Sequence, residues 1–172
     1  AETAEAKHQE TAKEHLLIGI CSLEKLLAAA DKIGLSAADR QNLQVEHAAL
    51  ANLLGGFALN AAQLRRQIRQ KLSPGNYAHG DGVVHRSAAC KQVFQWAEQF
   101  AGTTASISCL YLLAAILEEP GAILTAILQE AGVVPADVRQ RILACPSGSV
   151  DDAILATISN AEFAEIQDFA LR

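Results

Sequence analysis

The sequence contains no methionine, even at its first position. A natural open reading frame begins with one, so a processed product or an excised piece is expected. It has no Cys-x-x-Cys pair, since Cys21, Cys90, Cys109 and Cys145 are widely spaced. In a chain of 172 residues this points to a reduced, cytoplasmic protein rather than a disulfide scaffold. Long apolar runs are missing too. The longest, Cys109 to Leu117, falls far short of the roughly 20 residues that a membrane span requires. The opening AETAEAKHQE is polar and helical in character and shows no signal-peptide pattern. Charge is sparse, with 19% of residues charged against 51% hydrophobic. That composition excludes a disordered chain. A net charge of −5 argues against a general nucleic-acid binder, which carries a strongly basic face. Nothing in the length prevents a sizeable core, and one domain is expected.

What is present reads as all helix. Ala and Leu dominate, β-branched runs are scarce, and no stretch alternates apolar and polar residues as a strand would. Helix starts recur. Thr11 with Glu14 forms a T-x-x-E capping box ahead of Leu16, Leu17, Ile18 and Ile20. Ser36 with Asp39 opens a helix that runs to about Leu54, where Gly55 and Gly56 end it. Asn60 caps a helix over 61–72 and Ser87 one over 88–101. Pro120 and Pro135 sit where first-turn prolines are tolerated. Ser149 with Asp152 caps a helix toward Ile158, and Asn160 caps a last one. About eight or nine short helices are expected. The longest irregular stretch, 73–86, is rich in Gly and Pro and divides the chain nearly in half. The first 86 residues carry 10 basic and 9 acidic groups, and the last 86 carry 4 and 10.

The two halves share ordered matches. His15-Leu-Leu-Ile-Gly-Ile20 pairs with Tyr111-Leu-Leu-Ala-Ala-Ile116 at an offset of 96, and residues 62–68 pair with 136–142 at an offset of 74. The difference places about 22 extra residues in the first copy, within 22–47. An internal duplication follows: copy one over about 1–72, a linker over 73–86, and copy two over about 87–145.

These segments resemble the double repeat of the Clp amino-terminal domain, found in Clp/ClpB-type AAA+ unfoldases. The second half carries the likeness best. Ser87–Lys91 through Trp96–Glu98 resembles the repeat's first helix, Leu110–Pro120 its second, and Ile127–Val133 the segment that follows. Three features depart from the pattern: the insertion in copy one, its short first helix, and residues 146–172, read as a helical extension or a linker.

The resemblance implies an all-α domain of two pseudo-symmetric helical repeats that recruits substrates or adaptors for an ATP-dependent motor. The partners it implies are client or adaptor proteins and the AAA+ modules of its own chain. No nucleic-acid or membrane partner is expected. The isolated domain should be a monomer and the parent a hexamer. The sequence holds no G-x-x-x-x-G-K-S/T loop, so no cofactor is expected in it, and ATP and Mg²⁺ would belong to modules beyond it. Catalysis is not expected of this stretch. The alternatives are a stand-alone adaptor that regulates a protease or chaperone, and a dedicated partner-recognition domain of a secretion-linked unfoldase.

The candidate partner-binding residues are Glu14 and His15 in copy one and Leu110 and Tyr111 in copy two. In relatives that bind phosphorylated arginine, the Glu before the repeat's His is a ligand residue. Glu14 matches that position, whereas Leu110 breaks the pair. The plainer reading makes Glu14 a helix cap reaching back to Thr11, and His15 a packed, hydrogen-bonded side chain. Glu5-x-x-His8 has di-iron spacing, but such bundles need a second motif and two further glutamates. His79 and His85 flank a Gly-rich loop with no close ligand pair for zinc. Cys21, Cys90 and Cys109 fall on apolar helical faces, and Cys145 before Pro146 is expected to be exposed. Arg65, Arg66, Arg69 and Lys71 read as a solvated helix face. Phe94, Trp96 and Phe100 serve either the core or a peptide-binding patch, and Phe163, Ile166 and Phe169 form a stripe that needs a partner.

Overall fold

A computed structural model describes residues 2–79, 84–102 and 107–144. Nine helices lie among them: α1 Glu2–Glu5, α2 Lys13–Ile20, α3 Leu23–Ala28, α4 Ala37–Gly55, α5 Ala61–Lys71, α6 Ala88–Ala101, α7 Cys109–Glu118, α8 Gly121–Glu130 and α9 Pro135–Ala144. The only β pairing among the described residues is an isolated bridge between Thr11 and Arg86. The fold is all-α. The helices expected after Ser149 and Asn160 lie outside the described residues, as do Cys145 and the Phe163–Phe169 stripe.

Local chemistry explains most helix starts. Ser36, Asn60, Ser87 and Ser108 each place a side-chain oxygen on the backbone N–H three residues on, at 3.1, 3.1, 3.2 and 3.2 Å. Pro120 is the N-cap of α8, and Pro135 is the first residue of α9. One start differs from the sequence reading. The N-cap of α2 is Ala12, not Thr11, and the third helical residue is His15. Its Nδ1 accepts the Ala12 backbone N–H at 3.0 Å, so His15 does the capping work assigned to Glu14.

The core is built around α7. Seven of its residues are buried: Cys109, Tyr111, Leu113, Ala114, Ala115, Ile116 and Leu117. A helix apolar on nearly every side must be surrounded. It packs against α2, α4, α6 and α9. Ala114 and Ala115, both fully buried, keep its surface low enough for close neighbours. Leu17 and Ile18 of α2, Leu50 and Leu54 of α4, Leu64 and Ile68 of α5, and Val138 and Ile142 of α9 complete the same cluster. Each large side chain removed from water here contributes about 1.5–3 kcal/mol.

The sequence offsets also relate helix boundaries. At an offset of 96, Ala12, the N-cap of α2, corresponds to Ser108, the N-cap of α7. At an offset of 74, the first residues of α5 and α9 correspond, as do the buried pairs Leu64 with Val138 and Ile68 with Ile142. The turn after α4 is closed by Leu59 N–H donating to Leu54 O at 2.9 Å, and that after α8 by Val133 N–H donating to Leu128 O at 2.8 Å. Within these two turns, Ala58 and Gly132 both hold positive φ, 54° and 71°. α2 packs on α5 just as α7 packs on α9. The extra residues of the first half thus form α3 and the first half of α4.

The stretch after α5 is fastened to the first turns. Gly75 N–H donates to Ala6 O at 2.8 Å and Tyr77 N–H to Lys7 O at 2.9 Å. His8 Nε2 bonds Ser73 O at 2.7 Å, and His79 Nε2 bonds His8 O at 2.6 Å. Glycine is required at 75, because a Cβ there would collide with the Lys7 carbonyl.

Candidate functional site

The four candidate partner residues sit on the first turns of α2 and α7, two helices in contact. His15 and Tyr111 occupy the same third helical position in each and are buried, at 4% and 8% exposure. His15 caps its helix as described and meets the His8 ring edge-on, with centroids 4.8 Å apart. Tyr111 joins the core cluster. Glu14 and Leu110 are half-buried beside them.

Glu14 lies at the corner between α7 and α8. Its Oε1 and the Lys13 ammonium border Gly121, which holds φ 71° where the chain turns by 100°. Lys13 Nζ donates to Glu119 O, placing a cation at the end of α7 where the helix dipole favours one. Arg86 stands nearby, stacked over the Phe94 ring at 4.2 Å. The Glu14 carboxylate and the Arg86 guanidinium act in opposite senses on the Cys90 thiol, which burial pushes up.

The thiols are interior groups. Burial pushes Cys21 up to about 12 and Cys109 up as well, the latter with help from the Glu46 carboxylate. A thiol that keeps its proton is a poor nucleophile and a poor metal ligand. Among the described residues no three His, Cys, Asp or Glu side chains gather as a metal set. His79 is engaged by the His8 carbonyl and by the Tyr77 ring, 4.9 Å between centroids.

Three further features stand out among the described residues. The extra segment of the first half exposes Leu26, Ile33 and Val45, at 41%, 53% and 36%. Trp96 and Phe100 pack only partly against the core. On α5, Lys71 pairs with Glu130 at 2.7 Å, and Arg65, Arg66 and Arg69 line a hollow together with Lys25 of α3. Sequence spacing exposed the α5 cluster but not Lys25, which reaches it only through tertiary packing. Glu46 was missed as well. It accepts the first backbone N–H of α7 across 63 residues of sequence, and no local pattern signals such a contact.

Among the described residues no single helix is long and apolar enough to cross a membrane. α7 and α8 meet that measure only together, across their bend. The chain matches no family model. It matches no curated protein at a significant level either.

Proposed function

We propose that this chain is a substrate- or adaptor-recruiting domain of an ATP-dependent Clp-type unfoldase, acting by protein binding without a chemical step. The observation that carries the reading is the paired pattern of HLLIGI and YLLAAI. Each opens a helix at a corresponding cap position, and each is followed later in the chain by a helix carrying Ala-x-Leu/Val-Arg (62–65 and 136–139) that packs against it. A duplicated ancestral repeat accounts for both the sequence offsets and the matching helix boundaries. A client segment would dock on a shallow apolar surface with modest affinity, because such surfaces bury little area. A cytoplasmic location, a monomeric isolated domain and a hexameric parent belong to the same reading.

A second reading is favoured by the extra segment of the first half. Three large apolar side chains exposed on α3, the following turn and α4 suit a dedicated partner, as in a secretion-linked unfoldase. A stand-alone adaptor keeps the same fold without the motor.

The test is the gene sequence beyond the codon for Arg172. A phosphate-loop motif within AAA+ modules supports the recruiting domain. A stop codon shortly after it leaves the adaptor. Stoichiometric metal in the purified protein would contradict both.

A further inference from the structure

The turns after α3 carry its helical course onward. Ala29 N–H donates to Lys25 O and Ile33 N–H to Ala29 O, both at 3.1 Å. Positions seven apart therefore fall on one face. Leu26 and Ile33 are such a pair, 41% and 53% exposed, with Ala29 between them. Lys25 and Lys32 are a second pair, and both are exposed. Each lysine precedes its apolar neighbour by one residue, so the two edge the same side of the apolar stripe. Glu24 falls beyond Lys25, on the side away from Leu26, and the Asp31 carboxylate is taken by Arg40 at 2.7 Å. Lys25 and Lys32 enter no ion pair among the described residues. An exposed apolar stripe edged by two such lysines suits an occupant that is apolar with an acidic edge.

The sequence beyond α9 carries the matching pattern. Phe163, Ile166 and Ala170 recur at spacings of three and four, with Phe169 beside them and Asn160 at a cap position. Glu162, Glu165 and Asp168 each precede an apolar residue by one position. Residues 145–172 hold five acidic side chains and one basic. We propose that residues 160–172 dock as a helix on the Leu26–Ile33 face of the same chain, antiparallel to α3. The charges set the orientation. On two helices packed face to face, the flanks that precede each apolar stripe meet only if the helices run antiparallel. The Lys25–Lys32 edge then faces the Glu162–Glu165 edge, Phe163 lies against Ile33, and Ala170 lies against Leu26. Residues 145–159 supply the tether. A chain of fifteen residues spans about 20 Å r.m.s. without being stretched. The radius of gyration of a domain of this size is about 15 Å, so the face is within reach.

This contact does not depend on the recruiting reading, although a client seated on the same face would have to displace the tail. The full chain in a Cys145→Ser background serves for the test. With oxidised glutathione, Leu26→Cys/Ala170→Cys should close an intramolecular disulfide about tenfold faster than Ile33→Cys/Ala170→Cys, which represents the parallel register. Hydrogen exchange at amides 161–171 should be slowed in the parent chain and should speed up about tenfold in Lys25→Glu/Lys32→Glu. Adding Glu162→Lys/Glu165→Lys to that variant should restore the protection, because the charges are then swapped. Lys25 and Lys32 are exposed, so the amides of α7 should keep their protection in every variant. Random-coil exchange throughout 161–171 would overturn the proposal and leave the face to a separate partner. Tail protection that ignores the charge reversal would overturn it as well, as would faster closure in the parallel register. Disulfide-linked dimers whose yield grows with concentration would assign the face to a second copy of this chain instead.

Discussion

The Glu46 carboxylate accepts the backbone N–H of Cys109 at 2.8 Å, so a side chain from the extra segment of the first half caps the central helix of the core. The Cys109 thiol adds a contact to the Glu46 carbonyl at 3.5 Å. A carboxylate at a helix N-terminus satisfies an orphan donor and opposes the positive end of the dipole. Glu46→Ala should therefore destabilise the protein by about 1–2 kcal/mol. Glu46→Gln keeps an acceptor but loses the charge, and should cost about half as much. Urea unfolding of both variants checks the order, and equal losses would mean that the charge contributes nothing.

His15 supports the start of α2 in the same manner. His15→Ala removes the acceptor for Ala12 N–H and leaves a void at a buried site, for a loss of about 2–3 kcal/mol. Gln at the third helical position can reach the same N–H, so His15→Gln should recover part of it. Thermal unfolding distinguishes the two. If both lose equally, packing rather than capping governs the position.

Two frames compete at the start of α2, which shows where sequence is legible and where it stops. T-x-x-E begins at Thr11, and A-x-x-H begins one residue later. Local propensity favours the first. The second wins because Thr11 is already engaged: its N–H donates to His85 O at 2.8 Å and its carbonyl accepts Ser87 N–H at 3.0 Å. That pairing brings together positions over 70 residues apart, and no window along the chain contains it. The caps at Ser36, Asn60 and Ser87 were readable because all their partners lie within three residues. The same division applies to the basic face. Arg65, Arg66 and Arg69 follow from helical spacing, whereas Lys25 is placed there by packing in the turn from α2 to α3.

The corresponding turns after α4 and α8 carry the same left-handed residue position with different side chains. Ala58 holds φ 54° and Gly132 φ 71°. An L side chain in this region costs roughly 1–2 kcal/mol, while glycine loses about 0.4–1 kcal/mol through the freedom of the unfolded chain. The steric term is larger, so Ala58→Gly should stabilise by about 0.5–1 kcal/mol. At Gly132 a Cβ would meet nothing within 4 Å, so Gly132→Ala should cost only the backbone term, about 1 kcal/mol. Chemical denaturation of the two variants should give shifts of opposite sign.

The buried thiols set an alkaline limit. Cys21 rises from its ordinary value of 9.0 to about 12 in the fold, chiefly by burial, with Arg65 partly opposing. Cys109 moves in the same direction by burial and the nearby Glu46 charge. Between those values the unfolded chain has released a proton that the folded chain still holds. The stabilisation is therefore complete below about pH 9 and is lost as pH rises toward 12, at about 1.4 kcal/mol per unit for each such thiol. Urea midpoints at pH 8, 9 and 10 should fall progressively, and Cys21→Ala should flatten the slope. The same burial should shield Cys21, Cys90 and Cys109 from a thiol reagent. In a Cys145→Ser background at pH 8, labelling should wait on unfolding, and all three thiols should react at once in denaturant. Rapid labelling of any of them in the native protein would place that thiol outside the core.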